Sequence, residues 1–383
     1  MIKYPIGKQD FKSIREDGYL YVDKTSYISK LLQQGSYFFL ARPRRFGKSL
    51  FLSTLEYFFR GERYLFKELS IDNFNWHWIK YPVIHLDLNG TDYTQNYALE
   101  QRLSAFLSFY ENEYAIPPEK ELGIQERFRN LILQIYETAH QQVVVLVDEY
   151  EKPLLDTLDI SAVFEKNKET LRGFYGVLKS MDHYLKMVFM TGVTKFGQMN
   201  VFSGFNNIRD ISMNPDFGAI CGITQYELEL NFREGIEDLA KEKHLDFKSS
   251  LQLLKNNYDG YHFCGKCPDI YNPFSLLNAL ADKKIGSYWS YTGTPALLAN
   301  LLLKKNYDLE GLDGIEASER RLMGVNNQFD DPVALFYQTG YLTIKDYDET
   351  LDEFILGYPN IEVEQAFLEY YMHSGIRDVK RRR

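Results

Sequence analysis

The segment Ala41-Arg42-Pro43-Arg44-Arg45-Phe46-Gly47-Lys48-Ser49 decides the fold of this chain. It follows an apolar run, Tyr37–Ala41, and leads into a helical pattern, Lys48–Arg60, after which Gly61 is a plausible helix stop. A strand, a loop ending in Gly-Lys-Ser and a helix form the context that a P-loop requires. In that motif, backbone N–H groups at a helix N-terminus surround phosphate groups. The segment therefore predicts an α/β fold built around a P-loop.

The loop departs from the general motif at its first glycine, because Arg42 stands there. Pro43 also offers no N–H group to a ligand. At the other end the match is complete: Lys48 is expected to reach the β and γ phosphates, and the Ser49 hydroxyl to bind Mg²⁺. Taken alone, the segment is either a phosphate-binding loop or a chance Gly-Lys-Ser at the start of a helix.

A second motif favours the phosphate-binding interpretation. Val143–Val147 is a run of five aliphatic residues, typical of a central strand buried on both faces, and Asp148 and Glu149 follow it directly. Ligands bind at the C-terminal ends of such strands. We expect Asp148 to hold Mg²⁺ through water and Glu149 to orient the attacking water. The alternative is a buried strand that ends in two solvated acids.

A third strand candidate, Met187–Thr191, ends in polar residues. In ATPases with a catalytic glutamate, a polar side chain at this point contacts the γ phosphate or the attacking water. Thr191 is the first candidate for that role and Thr194 the second, although a threonine there could equally cap the next turn. Lys195 either faces the phosphates or is solvated.

The remaining patterns define the fold class. Val83–Leu88 is another strand candidate, and helical patterns such as Glu126–Thr138 and Lys166–Met181 fill the gaps. Strands that alternate with helices predict an α/β domain with a parallel sheet flanked by helices. We assign residues 1–222 to this P-loop domain.

Residues 223–383 are predicted to form a mostly α-helical C-terminal domain with a small β element. Glu227–Lys243 and Lys248–Asn257 have helical patterns, and another helix begins near Pro273. Leu335–Tyr347 and Glu353–Leu356 are predicted to pair as a short hairpin, and Glu362–Met372 to be helical. A winged-helix-like arrangement is one interpretation of this end of the chain.

The composition limits the class of protein. The 383 residues are 45% hydrophobic and 25% charged, which excludes a disordered chain or a coiled-coil rod. No apolar run is long enough for a membrane helix, and three cysteines cannot form a disulfide framework, so the cytoplasm is the expected compartment. The net charge of −9 does not support a nucleic-acid partner, although a local basic groove is not excluded.

The chain resembles the bacterial AAA-ATPase-like proteins, relatives of the archaeal-type and STAND P-loop ATPases, over nearly its whole length. An arginine-rich P-loop is typical of that family, so Arg42 departs from the general motif but not from the family. Besides the P-loop, the resemblance rests on Pro5–Gly7 with Phe11, Tyr21–Thr25, Asp148–Pro153, Thr191–Phe196, Phe202–Asn207, Tyr258–Tyr261, Tyr271–Pro273, Gly340–Thr343 and Gly357–Asn360.

The resemblance implies an ATP-binding protein that uses Mg²⁺. The expected catalytic residues are Lys48, Glu149 and Thr191, and the expected metal-binding residues are Ser49 and Asp148. The expected nucleotide-binding residues are Arg44, Arg45, Phe46, Gly47, Lys48, Ser49 and Leu50. Tyr21–Thr25 is expected to lie near the base.

Family members often carry a PD-(D/E)XK nuclease-like domain after Gly357–Asn360, but we find no matching acidic strand with Glu-x-Lys and expect no nuclease activity. The basic tail Arg377–Arg383 is read as solvated or as a linker.

Two sets of residues keep more than one interpretation. Arg44 and Arg45 could compensate phosphate charge from within the loop, and Arg172 or Arg209 could face the nucleotide or simply be solvated. His262-Phe263-Cys264-Gly265-Lys266-Cys267 has a Cys-x-x-Cys spacing that fits zinc, a redox pair or two thiols in a turn.

The leading hypothesis is a Mg²⁺-dependent ATPase that converts ATP and water to ADP and phosphate and couples its nucleotide state to a protein partner or to a second copy of itself. The alternative is a nucleotide-gated switch that binds ATP with little hydrolysis. A role in a DNA transaction rests on family analogy alone.

Overall fold

The computed structural model describes residues 2–119, 121–195, 207–289, 312–324 and 332–369. Four stretches named above lie outside the described residues: Phe196, Phe202–Asn206, residues 370–372 at the end of Glu362–Met372, and the basic tail Arg377–Arg383.

The centre of the molecule is a five-stranded sheet with the strand order β2-β3-β4-β1-β5. All four neighbouring pairs are parallel, which confirms the predicted sheet. The fifth strand was not predicted, because two residues carry no hydrophobic pattern. The strands are β1 (Tyr37–Ala41), β2 (Val83–Asp87), β3 (Val143–Asp148), β4 (Leu185–Gly192) and β5 (Arg209–Asp210).

Helices cover both faces of this sheet, as the continuous apolar strands require. Phe38 and Leu40 of β1 contribute to one core with α3, whereas Phe39 faces the other core, with α4, α5 and α7. The helices of this half are α1 (Phe11–Glu16), α2 (Ser26–Gln34), α3 (Lys48–Phe59), α4 (Ala98–Glu113), α5 (Ile124–Ala139), α6 (Lys152–Leu155) and α7 (Ser161–Ser180).

The C-terminal region is mostly helical, as predicted, and it contains two small antiparallel sheets where the sequence predicted one small β element. One sheet pairs β6 with β7, and the other has the order β8-β10-β9. Residues 361–369 are helical. The other elements are β6 (Ile223–Thr224), α8 (Gln225–Asn231), α9 (Arg233–Lys243), α10 (Phe247–Tyr258), β7 (Ile270–Tyr271), α11 (Pro273–Asp282), β8 (Ile315–Ser318), α12 (Glu319–Met323), α13 (Pro332–Thr339), β9 (Thr343–Asp348) and β10 (Glu353–Gly357).

The predicted hairpin is confirmed, because β9 pairs with β10 antiparallel, but two predicted elements in this region have the wrong bounds. The run Leu335–Tyr347 is not one strand: it contains the end of α13, a turn and most of β9. A short, continuously apolar run fits a buried helix as well as a strand, and all eight residues of α13 are buried. Glu227–Lys243 is two helices, because Phe232 leaves the helical conformation at φ −120° and its ring stacks on Tyr4.

The C-terminal region packs directly on the P-loop. The Phe46 ring meets Tyr261 and Phe263 edge to face, at centroid distances of 4.8 and 5.4 Å. Gly340 lies against Pro43 so closely that an added Cβ would stand 2.8 Å from the proline Cβ. The loop therefore takes its shape partly from residues that follow it by some two to three hundred positions.

This close approach predicts the effect of a single methyl group. Gly340 and Gly314 have nearly the same φ, +88° and +87°, but a Cβ on Gly314 would meet nothing within 4 Å. We expect Gly314→Ala to cost about 1 kcal/mol of unfolding free energy through its backbone, and Gly340→Ala about 2–4 kcal/mol, because it adds the clash with Pro43. Urea denaturation measures both. Equal losses would contradict the packing of the C-terminal region on the loop.

Candidate nucleotide site

The P-loop presents its lysine at the start of α3. Arg45 and Gly47 have φ values of +69° and +94°, so the chain reverses sharply just before the helix. The Lys48 ammonium donates to the carbonyl oxygens of Arg42 and Pro43, at 3.1 and 3.3 Å. It also lies 3.4 Å from Glu149 Oε1. Lys48 therefore connects the loop to the residue that follows β3.

The acidic pair at the end of β3, Asp148 and Glu149, is held by a hydrogen bond between a side chain and the backbone of the pair. Asp148 is 2% exposed, and its Oδ1 accepts the backbone N–H of Glu149 at 3.1 Å. Glu149 has a φ of +51°, a left-handed conformation that turns its side chain toward Lys48. A non-glycine residue in this conformation is strained, and such strain is concentrated at functional sites.

Thr191 supports the acidic pair from the neighbouring strand. Its hydroxyl donates to Asp148 Oδ1 at 2.5 Å, and its side chain is fully buried. In this structure Thr191 therefore contacts Asp148. Thr194, the second candidate, is also buried, and its hydroxyl lies 3.4 Å from Glu151 Oε1.

A cavity of about 500 Å³ opens between the P-loop, the ends of β2 and β3, the N-terminal segment and α11. Five cationic and two acidic side chains line it, so its charge suits a polyanion. Of the predicted residues, Asp148, Thr191 and Phe46 are not among those that line it. The lining consists of Pro5, Ile6, Gly7, Lys8, Gln9, Arg44, Arg45, Gly47, Lys48, Ser49, Leu50, Asp87, Asn89, Glu149, Lys152, Pro273, Phe274 and Leu277.

The two loop arginines differ in their surroundings. The Arg45 guanidinium lies 4.8 Å from the ring centroid of Phe274, the second residue of α11. Arg44 has no ion-pair partner within the described ranges, so its charge is available to a ligand.

A smaller, mainly apolar cavity of about 90 Å³ adjoins the first. The two share Pro5, Gly47, Leu50, Pro273 and Leu277. Tyr21, Val22 and Lys24 line the smaller cavity, together with the Phe46 ring. Phe46, predicted to bind nucleotide, thus lines this apolar space rather than the charged one.

Arg42 points away from both cavities. It is 1% exposed, and its guanidinium donates to the carbonyl oxygens of Ala41 and Ser212 at 2.9 and 2.7 Å. It donates more weakly to Phe217 and Gly218 at 3.2 and 3.4 Å. Burial lowers its pKa. Because the side chain is turned into the core, it does not occupy the space where phosphates would bind.

The other candidate cations do not line the charged cavity. Lys195, expected either to be solvated or to face the phosphates, does neither: it is 3% exposed, and its ammonium lies 2.6 Å from Asp210 Oδ2. Arg172 is exposed on α7. Arg209 donates to the Gln34 carbonyl at the edge of the sheet.

Cys264 and Cys267 are joined by a disulfide rather than present as two free thiols. Within the described ranges, no group of three or more His, Cys, Asp or Glu side chains is arranged to hold a metal ion. A Mg²⁺ ion at the P-loop does not need such a group, because it takes one or two protein ligands, water and substrate phosphates.

Sequence reasoning missed Glu151, which is fully buried behind the acidic pair. Its Oε1 accepts the backbone N–H groups of Val193 and Thr194, at 2.5 and 2.8 Å. Burial, and secondly the charge of Glu149, raise its pKa to about 8. The only sequence signal was its place in the Asp148–Pro153 motif. Asp87, Asn89 and Lys152 were missed as well, because only the fold brings them to the cavity.

A family model, a curated protein and a solved structure are similar to this chain. Residues 5–202 match the family model AAA-ATPase_like, described as a predicted AAA-ATPase. The chain is 34% identical over 371 residues to an "uncharacterized protein in vnfD 5′ region" of Azotobacter chroococcum mcd 1, an alignment that covers 96% of this chain and 69% of that protein. The crystal structure of CDC6P from Pyrobaculum aerophilum aligns with a TM-score of 0.31 and 11% identity, over 94% of this chain and 93% of that one. None of the helices in the described ranges is long and apolar enough to cross a membrane.

The raised pKa of Glu151 predicts a pH dependence of stability. The folded chain holds the Glu151 proton more tightly than the unfolded chain, where the pKa is near 4.5. Relative to Glu151→Gln, wild-type stability should therefore be highest below about pH 4.5 and fall as the pH rises toward 8, by up to about 1.4 kcal/mol per pH unit.

Urea denaturation of both proteins from pH 5 to 8.5 measures this difference. Glu149→Gln is the second variant to compare. Removing the charge of Glu149 should lower the pKa of Glu151, so that the loss of stability is complete at a lower pH. Parallel profiles for wild type and Glu151→Gln would contradict the assignment.

Proposed function

The chain belongs to the AAA-ATPase-like family of predicted AAA-ATPases, and from this premise we propose that it is a Mg²⁺-dependent ATPase that couples nucleotide state to a partner. The observation that carries the proposal is the Lys48–Glu149 contact at the mouth of a cationic cavity. It joins the group that binds phosphate to the group that activates water.

The phosphates of ATP fit the charged cavity. Lys48 and the N–H groups at the start of α3 bind the β and γ phosphates, and Arg44 and Arg45 add charge from the same loop. Ser49 and Asp148 offer the hard oxygen donors that Mg²⁺ prefers, so these two residues would hold the ion. Bound there, Mg²⁺ would offset the charge of the phosphates.

Glu149 is the residue that orients the attacking water. Its strained backbone fixes the carboxylate in the cavity, where it accepts a hydrogen bond from water and aligns it with the γ phosphate. Thr191 is proposed to act through Asp148, by holding Oδ1 with its hydroxyl.

The base is assigned to the smaller cavity. Its lining is mainly apolar and adjoins the phosphate cavity across Gly47, which suits an aromatic ring attached to a polyphosphate. Tyr21 and Val22 from the N-terminal segment and Leu277 from α11 would enclose the ring. ATP would thus contact both halves of the chain.

One observation favours the alternative, a switch that binds ATP and hydrolyses it slowly. The arginines that line the cavity, Arg44 and Arg45, both belong to the P-loop itself. Hydrolysis that depends on an arginine from a partner or a second copy would rise with protein concentration or on addition of that partner.

Lys48→Ala should abolish ATP binding, because it removes the ammonium that holds the β and γ phosphates. We expect the dissociation constant to rise by at least about a hundredfold, measured by calorimetry with MgATP. Lys168→Ala is the control, since Lys168 lies on α7 and pairs with Glu165. Unchanged affinity in Lys48→Ala would refute the phosphate site.

Glu149→Gln should retain ATP binding and lose turnover, because the amide cannot polarise water. Phosphate release should fall by about a hundredfold or more, while the dissociation constant for ATP changes by less than about threefold. Glu165→Gln is the matched control, because Glu165 is an exposed residue of α7. Turnover retained in Glu149→Gln would remove this residue from the mechanism. Binding without turnover in either protein would favour the switch.

A further inference from the structure

The turn after β4, Val193–Lys195, presents three successive backbone N–H groups in a buried place; we call it the sensor turn. Glu151 Oε1 accepts the N–H groups of Val193 and Thr194 at 2.5 and 2.8 Å. Gln338 Oε1 accepts the third, from Lys195, at 2.9 Å. All three turn residues are at most 3% exposed. Water cannot replace these acceptors, so the two side chains fix the turn.

One acceptor comes from the acidic motif and the other from the C-terminal region. Gln338 lies on α13, and its Nε2 donates to the Leu322 carbonyl of α12 at 2.8 Å. The Lys195 ammonium also contacts Met323 Sδ, besides its ion pair with Asp210. The sensor turn is therefore bonded to the C-terminal region through both its backbone and a side chain.

The other side of the turn is bonded to the candidate hydrolytic site. Tyr150 donates its hydroxyl to the Thr194 carbonyl at 3.0 Å. Gly192 accepts the backbone N–H of Arg42 at 3.1 Å, and Thr191 holds Asp148. A displacement of the sensor turn would therefore move the P-loop and the acidic pair as well.

We propose that Gln338 is a positioning residue through which the C-terminal region controls alignment of the acidic pair for hydrolysis. This inference rests on the proposed ATPase function and adds its coupling route. When α13 is seated as here, Lys195 N–H is paired and Thr191 holds Asp148 in place. When a partner moves α13, the backbone N–H of Lys195 loses its acceptor on Gln338 and the sensor turn rearranges. Asp148 and Glu149 then lose their alignment for hydrolysis.

Gln338 does not line the nucleotide cavity, so we expect its substitution to change kcat and to leave ATP affinity nearly unchanged. Gln338→Met keeps the size of the side chain and removes both hydrogen bonds. We expect kcat to fall by about tenfold to a hundredfold, because misplacing a catalytic group by a fraction of an ångström has effects of this size, while ATP affinity changes by less than about twofold.

Thr339→Val is the matched control. It is the next residue on α13 and is also buried. Among the residues that the structure describes, its hydroxyl bonds only within its own helix, to Leu335 and Phe336. A merely structural role for Gln338 predicts that both variants lose thermal stability and keep their kcat well below the melting temperature. That result, or a parallel loss of affinity and kcat in Gln338→Met, would overturn the proposal.

Amide hydrogen exchange supplies a readout that does not need turnover. In Gln338→Met, exchange across residues 193–195 should be faster than in wild type or Thr339→Val, and β1 should be unaffected. Adding ATP should slow exchange of α13 in wild type but not in Gln338→Met. If wild type releases no phosphate, the ATPase proposal fails, but hydrogen exchange still tests whether Gln338 couples α13 to the sensor turn. Identical exchange in all three proteins would overturn it.

Discussion

The buried guanidinium of Arg42 is the constraint on which the rest of the site depends. It is a cation within the core that is neutralised by carbonyl dipoles: strong bonds to Ala41 and Ser212, and weaker ones to Phe217 and Gly218. The Phe263 ring covers it, with a distance of 4.2 Å from Cζ to the ring centroid. Hydrogen bonds to a charged group contribute about 1.5–3 kcal/mol each, and a buried charge that lost them would be strongly destabilising. The start of the P-loop is therefore fixed to Ser212, just after β5, to the turn at Phe217 and Gly218, and to the C-terminal region.

This anchoring explains how the loop tolerates an arginine in place of its first glycine. In the general motif, a glycine there lets the chain leave the strand tightly. Here the turn is made later, at Arg45 and Gly47, both with positive φ. The side chain of Arg42 leaves on the side opposite the cavities. Arg42, which departs from the general motif, therefore connects the end of β1 by hydrogen bonds to the segments packed behind it.

The aromatic and glycine motifs of the second half converge on the same junction. A Cβ on Gly260 would stand 2.2 Å from the Pro359 carbonyl oxygen, and Asn360 donates to the Asp259 carbonyl at 2.8 Å. Tyr261 packs on Phe46 of the P-loop. These motifs therefore build the surface that supports the loop.

The features that could be predicted from the sequence are those that depend on residues close together along the chain. Strands β1 to β4 were recognised because each is a buried apolar run, and Lys48 and Glu149 because each belongs to a motif read from neighbouring residues. Glu151 and Gln338 escaped notice for the same physical reason: their partners lie 42 to 143 positions away along the chain, and no spacing rule encodes such a contact. The helix α13 escaped because burial on all sides removes the periodicity that distinguishes helix from strand.

A nucleotide in these cavities would connect two routes between the halves of the chain. On one side, Arg45 lies over the Phe274 ring and Leu277 lines both cavities, so α11 would contact the ligand directly. On the other side, the sensor turn joins Asp148 to α13 through Thr191 and Gln338. The first route depends on which ligand is bound, and the second on where the C-terminal helices lie. Because both routes end on residues adjoining the P-loop, a force applied to the C-terminal region would act on the groups that we propose bind phosphate and activate water.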